Sequence, residues 1–173
     1  MDAISLACVD RSISRHVGPH LTNIADLLAP EDILLDLDVS NKGQLFEAID
    51  RHMVQEHAMA KGFVAMSLAN RERVGSTGLG DGVAVPHAHV KNLDHVQFAY
   101  IRLKSPIAFD APDRKRVSDV LVLLVPNQAY QEHLDILAKV TQIFPDRQFR
   151  ERLHQCNSPS GVKRLFDSWV PLA

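Results

Sequence analysis

The chain has 173 residues, of which 46% are apolar and 23% charged, and its formal net charge is −2. That length suits one domain with a substantial core, and two would be cramped. Lys and Arg are dispersed rather than clustered, which argues against a nucleic-acid footprint, and no apolar run reaches membrane-spanning length.

Residues 1–21 lack clear periodicity and read as an N-terminal extension, with a single domain over 22–173. The acidic start, Met1-Asp2, lacks the apolar region of a signal peptide. Cys8 and Cys156 show no metal-ligand spacing and are expected to be two reduced thiols. Thr22 is expected to cap a short helix through Leu28, ended by Pro30. Ile33 to Val39 alternates, which predicts a strand with Ile33, Leu35, Leu37 and Val39 on one face. Ser40 is expected to open a helix carrying Leu45, Ile49 and Met53. A second helix is expected from about Gly62 to Arg73, with Val64, Leu68 and Arg71 on one stripe and Gly75 as its stop.

The next segment is the most informative. Gly75-Ser76-Thr77-Gly78-Leu79-Gly80-Asp81-Gly82 leads into Val83-Ala84-Val85-Pro86-His87. Glycines let backbone turn tightly or approach an anion. Val83 and Val85 have strand period, and Pro86 predicts that the strand ends there or lies at an edge. By parity His87 shares the face of Val83 and Val85, one step past their cover. An imidazole held this way, beside Arg71 and free backbone N–H groups, suits the carriage of a phosphoryl group.

Strands are predicted over Gln97–Leu103, with Phe98 and Tyr100 opposite Ala99, Ile101 and Leu103, and over the continuous apolar run Val120–Val125. Helices follow over Tyr130–Phe144, Asp146–His154 and a segment capped by Ser158-Pro159. This order predicts a three-layer α/β/α fold, a sheet with helices on both faces.

Arg71-Glu72, Gly75-Ser76-Thr77-Gly78 and Val83-Ala84-Val85-Pro86-His87 together resemble the active-site signature of enzyme IIA of the bacterial sugar phosphotransferase system, fructose/mannitol/nitrogen-regulatory type. Pro106–Asp113 is similar to that family's hairpin, Leu121–Pro126 to its buried strand, and Glu132-His133-Leu134 to the start of its second active-site helix. The resemblance runs from about Asn23 to the C-terminus and implies a mixed sheet. It implies that His87 accepts a phosphoryl group from an HPr/NPr-like phosphocarrier protein in the cytoplasm, and that His133 and Arg71 hold the phosphoryl oxygens; the Ser76 and Thr77 hydroxyls beside them are candidates to assist. No cofactor or metal is expected, because no nucleotide phosphate is handled, and the charge distribution and hydropathy predict neither nucleic-acid binding nor membrane insertion.

Alternatives remain at single residues. Arg71 and Arg73 near a helix C-terminus are favoured electrostatically in any case, and Arg73 reads as solvated. His133 lies on the inward stripe of its helix, with Ile136, Leu137 and Val140, where a histidine is usually a satisfied core residue. Ser76 and Thr77 suit simple turn formation. His87-Ala88-His89 with His133 could ligate zinc in a metal-dependent hydrolase, although no carboxylate-rich motif accompanies them. His16, His20, His52, His57, His95 and His154 show no converging pattern. Arg114-Lys115-Arg116 is either a solvated hairpin tip or a docking surface for an acidic partner. The opening segment Leu27–Leu37 resembles the nitrogen-regulatory branch, in which phosphorylation state controls partner proteins. A sugar-transport IIA serving a IIB domain and a non-phosphorylated binding module are the competing readings.

Overall fold

The structure is a computed structural model and describes residues 23–170. Thr22, Cys8, His16, His20 and the proposed 1–21 extension lie outside the described residues. In chain order the elements are α1 (Ile24–Leu27), β1 (Leu28–Leu37), α2 (Lys42–His57), α3 (Phe63–Val74), β2 (Gly78–Gly80), β3 (Val83–Ala84), β4 (His87–Val90), β5 (Gln97–Ile107), β6 (Val117–Pro126), α4 (Tyr130–Ile143), α5 (Arg147–Gln155) and α6 (Pro159–Ser168).

The sheet is mixed, in the order β1-β5-β6-β3-β2, with β4 also on β6. β1 runs parallel to β5, β5 antiparallel to β6, and β3 and β4 parallel to β6. β6 is the central strand, which explains its unbroken apolar run. Leu121, Leu123 and Val125 join one core layer with Phe98, Tyr100 and residues of α1, α4, α5 and α6; Val120, Val122 and Leu124 join the other with Ala99, Ile101 and residues of α2 and α3. The expected three layers and the expected faces of β5 are both present.

Three local expectations are corrected. The first helix is capped by Asn23, whose side chain accepts from Ala25 N, and it ends at Leu27. β1 then begins at Leu28 and runs through Pro30, because it lies at the sheet edge with only β5 as neighbour, where a missing donor costs no ladder bond. The alternation read over Ile33–Val39 holds only to Leu35. Asp36 adopts φ 57° and the register against β5 shifts between Leu34 and Leu37. This irregularity sends Leu37 and Val39 to the α2/α3 side, while Ile33 and Leu35 stay with the other layer. Asn41 rather than Ser40 caps α2, accepting from Gln44 N at 2.9 Å, and Gln44 accepts from Ser40 N in return.

α3 carries Arg71, so its anchorage matters. Its N-cap is Gly62, which has no side chain to cap with. The buried carboxylate of Asp50 on α2 does the work, accepting from Gly62 N (2.8 Å), Val64 N (3.0 Å) and Ala65 N (3.1 Å). An anion at a helix N-terminus is favoured by both the orphan N–H groups and the dipole.

Candidate active site

The strand reaching His87 does not end at Pro86. Each residue of β3 and β4 pairs with the β6 residue 36 positions on, from Val83↔Asp119 to Val90↔Pro126. The Pro86 carbonyl itself accepts from Leu123 N at 3.1 Å. Residues 83–90 are therefore one extended run with constant register. Pro86 marks where its outer side becomes a free edge, because β2 pairs β3 while β4 pairs only β6. His87 is the first residue of β4, half-buried within the sheet rather than one step beyond it.

Two hydrogen bonds fix its ring. The Val85 carbonyl can only accept, so His87 Nδ1 is protonated and donates to it at 2.8 Å. Arg71 Nε can only donate, so His87 Nε2 carries the lone pair and accepts at 3.2 Å. Arg71 also donates from Nη1 to the Gly75 carbonyl at 2.9 Å, closing the end of α3. Both its cap role and its proximity to His87 are thus realised by one guanidinium. Burial pushes the His87 pKa below the ordinary histidine value and the Arg71 charge adds to this; the Val85 carbonyl pulls the other way without prevailing. The ring is neutral near pH 7, with a bare Nε2.

His133 comes from the first turns of α4 and meets His87 edge-on, the ring centroids 5.2 Å apart. Burial, with His87, His89 and Arg71 nearby, lowers its pKa to about 4. Its Nδ1 lies 3.2 Å from His89 Nε2, and its Nε2 is buried with no hydrogen-bond partner among the described residues. An orphaned buried ring nitrogen costs free energy, and the ring that carries it packs edge-on against that of His87. His89 in turn stacks on Tyr130, 5.1 Å between centroids. The structure thus joins Arg71, His87 and His133, and adds His89, which shares the inward parity of His87 along β4. Its signal was the two-residue spacing itself. A zinc ion on His87, His89 and His133 is disfavoured electrostatically, because the Arg71 guanidinium already lies 3.2 Å from His87 Nε2 and would repel a dication there.

Ser76 and Thr77 are engaged elsewhere. Ser76 Oγ donates to the Phe109 carbonyl at 2.6 Å and accepts from Gly78 N. Thr77 Oγ1 donates to Glu72 Oε2 at 2.6 Å, and Thr77 N also reaches that carboxylate. Glu72, which the sequence reading placed in the motif without a role, is the hub: Lys42 Nζ pairs with it at 2.8 Å and also with Asp110 at 2.9 Å. The two hydroxyls therefore tie the glycine loop to α3 and to the 106–113 hairpin. Arg73 is exposed, as expected. At the hairpin tip, Lys115 pairs with Asp81 at 3.2 Å.

The remaining histidines are less isolated than their spacing implies. His154 Nε2 lies 2.7 Å from buried Asp119, His95 contacts Gln97, and His52 and His57 converge on Asp32.

A mixed α/β sandwich presenting a neutral imidazole to a guanidinium and a second imidazole is the frame of a histidine-centred group-transfer protein. Comparison with known proteins places it further. The model of the family described as "Phosphoenolpyruvate-dependent sugar phosphotransferase system, EIIA 2" matches residues 26–169, and the chain belongs to that family. It is similar to a nitrogen regulatory protein of Bradyrhizobium diazoefficiens (33% identity, covering 80% of this chain and 91% of that one) and to a nitrogen regulatory protein homolog of Haemophilus influenzae (32%, covering 83% and 90%). Among solved structures, the nitrogen regulatory protein IIA-Ntr of Neisseria meningitidis superposes with a TM-score of 0.79 at 37% identity, covering 84% of this chain and 99% of that one. The mannitol IIA of Escherichia coli shares the fold at 20% identity, with a TM-score of 0.68 and coverage of 80% and 97%. No helix among the described residues is long and apolar enough to cross a membrane.

Proposed function

We propose that this protein is a cytoplasmic phosphoryl carrier of the nitrogen-regulatory branch, with His87 as acceptor and a small phosphohistidine carrier of the HPr/NPr kind as donor. The observation that carries the reading is the assignment of both His87 nitrogens: Nδ1–H is held by the Val85 carbonyl, and Nε2 offers its lone pair beside Arg71. In the reaction Nε2 attacks the donor's phosphorus, the donor N–P bond breaks, and its electron pair returns to the donor imidazole. Positive charge grows on the His87 ring as the new N–P bond forms, and the Val85 carbonyl, already aligned on Nδ1–H, compensates it. Bond type is conserved, so the protein's work is in-line positioning and stabilising charge on the equatorial oxygens. Arg71 supplies a planar, permanently charged fork for them. His133 Nε2, buried and unpartnered among the described residues, faces the same task from the other side.

The added negative charge then lets partner proteins distinguish the two forms. The names of the relatives support the regulatory branch. Incubation with phosphoenolpyruvate, enzyme I and the carrier, read by intact mass, tests the reading. A gain of one phosphoryl group that His87→Ala abolishes is expected. No gain would leave a binding module, and onward transfer to a sugar-specific IIB would favour the transport role.

A further inference from the structure

Asp32, His52 and His57 form a second cluster, separate from the phosphoryl site. It lies at the C-terminal end of α2, whereas Lys42, which pairs with Glu72, lies at the N-terminal end. Sixteen residues of helix put roughly 24 Å between those ends. Asp32 sits on β1 and is 2% exposed. Both His52 Nε2 (2.8 Å) and His57 Nε2 (2.7 Å) contact the same oxygen, Asp32 Oδ1. The three ligand-type atoms lie within 4.8 Å of one another.

Two histidines five apart do not share a helix face, since five residues turn about 140° past a full revolution. Their convergence has a local cause. His57 is the last residue of α2, and Ala58 follows in the left-handed region at φ 52°, so the chain leaves the helix there. The two rings stand 6.3 Å apart at 70°. Each presents the same nitrogen to one carboxylate.

We propose that Asp32, His52 and His57 bind a divalent transition-metal ion of zinc's kind. Two imidazole nitrogens and one carboxylate oxygen are the three-ligand set that zinc accepts with its fourth position left to water or another ligand. At tetrahedral bonds of about 2.0–2.1 Å the ligand atoms stand roughly 3.3 Å apart. The present 2.7–2.8 Å contacts therefore need to open by only about half an ångström. The rings now turn Nε2–H toward a carboxylate that can only accept. A ligating nitrogen must be free of its proton, so metal binding displaces Nε2–H from each ring. The rims of the two rings reach solvent (12% and 18% of each side chain), which gives an ion an entry path. His57 also lines a cavity of about 400 Å³ with Asp94 and His95, where a fourth ligand has room.

The test uses the full chain and zinc chloride. One zinc per chain by calorimetry is expected, with the ¹⁵N imidazole resonances of His52 and His57 changing from protonated to metal-bound Nε2. The double variant His52→Gln/His57→Gln is expected to weaken binding by more than the roughly 10–100-fold that loss of an outer-shell partner costs. The thermal midpoint of the unmodified protein should rise with zinc concentration. No zinc binding by the full chain, unchanged binding by the folded double variant, or ¹⁵N changes at His87, His89 and His133 in place of His52 and His57 would each overturn the proposal. Should the double variant not fold, the resonances of the unmodified protein decide alone.

Discussion

His89 Nε2 and His133 Nδ1 stand 3.2 Å apart, so the tautomer of one imidazole dictates that of the other. For His133 to donate from Nε2 to a phosphoryl oxygen, its Nδ1 must be bare, and His89 must donate from Nε2. The longer 3.4 Å contact from His89 Nδ1 to the Pro126 carbonyl favours the opposite arrangement and is the weaker of the two. On the proposed function His89 would thereby be a positioning residue. His89→Leu should slow donor-dependent phosphorylation about tenfold, the scale of one neutral hydrogen bond. His89→Gln, whose amide retains a donor, should recover most of the rate. Equal rates for the wild type and the leucine variant would remove His89 from the reaction.

Arg71→Ala should cost roughly a hundredfold in the phosphorylation rate while leaving the fold intact, the range typical for one preorganised charge-stabilising group. The same change removes a charge that depresses the His87 pKa. An NMR titration should therefore show the His87 midpoint moving upward in the variant. A slow variant with an unmoved midpoint would separate catalysis from the electrostatic coupling and refute the latter.

Acidification acts on stability with a defined sign. The folded-state pKa of His133 is depressed from 6.5 to about 4. Between those values the unfolded chain holds a proton that the folded chain excludes, so stability falls as pH drops from 6.5 toward 4 and, for this group, is level above 6.5. His133→Gln should flatten that slope in chemical denaturation. The lowered His87 pKa likewise keeps the acceptor neutral somewhat below pH 6.5. Half-loss of phosphoryl acceptance at or above 6.5 would contradict it.

Gly78→Ala tests what the glycine loop is for. A Cβ there would stand 2.8 Å from Ala111 Cβ and 2.9 Å from Ala111 Cα, against hairpin backbone that cannot turn aside. Overpacking of this kind costs about 1–3 kcal/mol. The thermal midpoint should drop before any change in the intrinsic rate at low temperature.

Thr77→Val should reduce stability by about 1 kcal/mol through the lost bond to Glu72, with phosphorylation at saturating donor within about twofold of wild type, the change left when no charge-stabilising donor is lost. A loss near that of Arg71→Ala would instead make the hydroxyl part of the phosphate cradle.

The layers of this fold were legible because β5, β6 and the amphipathic helices each carry their period openly. Arg71, His87 and His133 were found through a motif and a helical stripe, both local patterns. What escaped depends on contacts distant in sequence. Glu72 gains its role from Lys42, 30 residues away, and from the loop behind it. Asp32 meets His52 and His57 across 20 and 25 residues. The switch of faces at Asp36 needed a backbone conformation that no apolar pattern encodes. At Pro86 the edge alternative is the one realised: its missing donor points to an open side, so the ladder on the β6 side continues.

That unbroken ladder has a consequence for traffic at the site. The His87 backbone is in register against β6 at residue 123, and its ring is tied back to the Val85 carbonyl of the same strand. On the proposed function the berth is thus preset, and arriving and departing proteins would bring their own reactive atom into line with it. On that reading, selectivity between partners would rest on how each one's outline fits the rim around a single nitrogen.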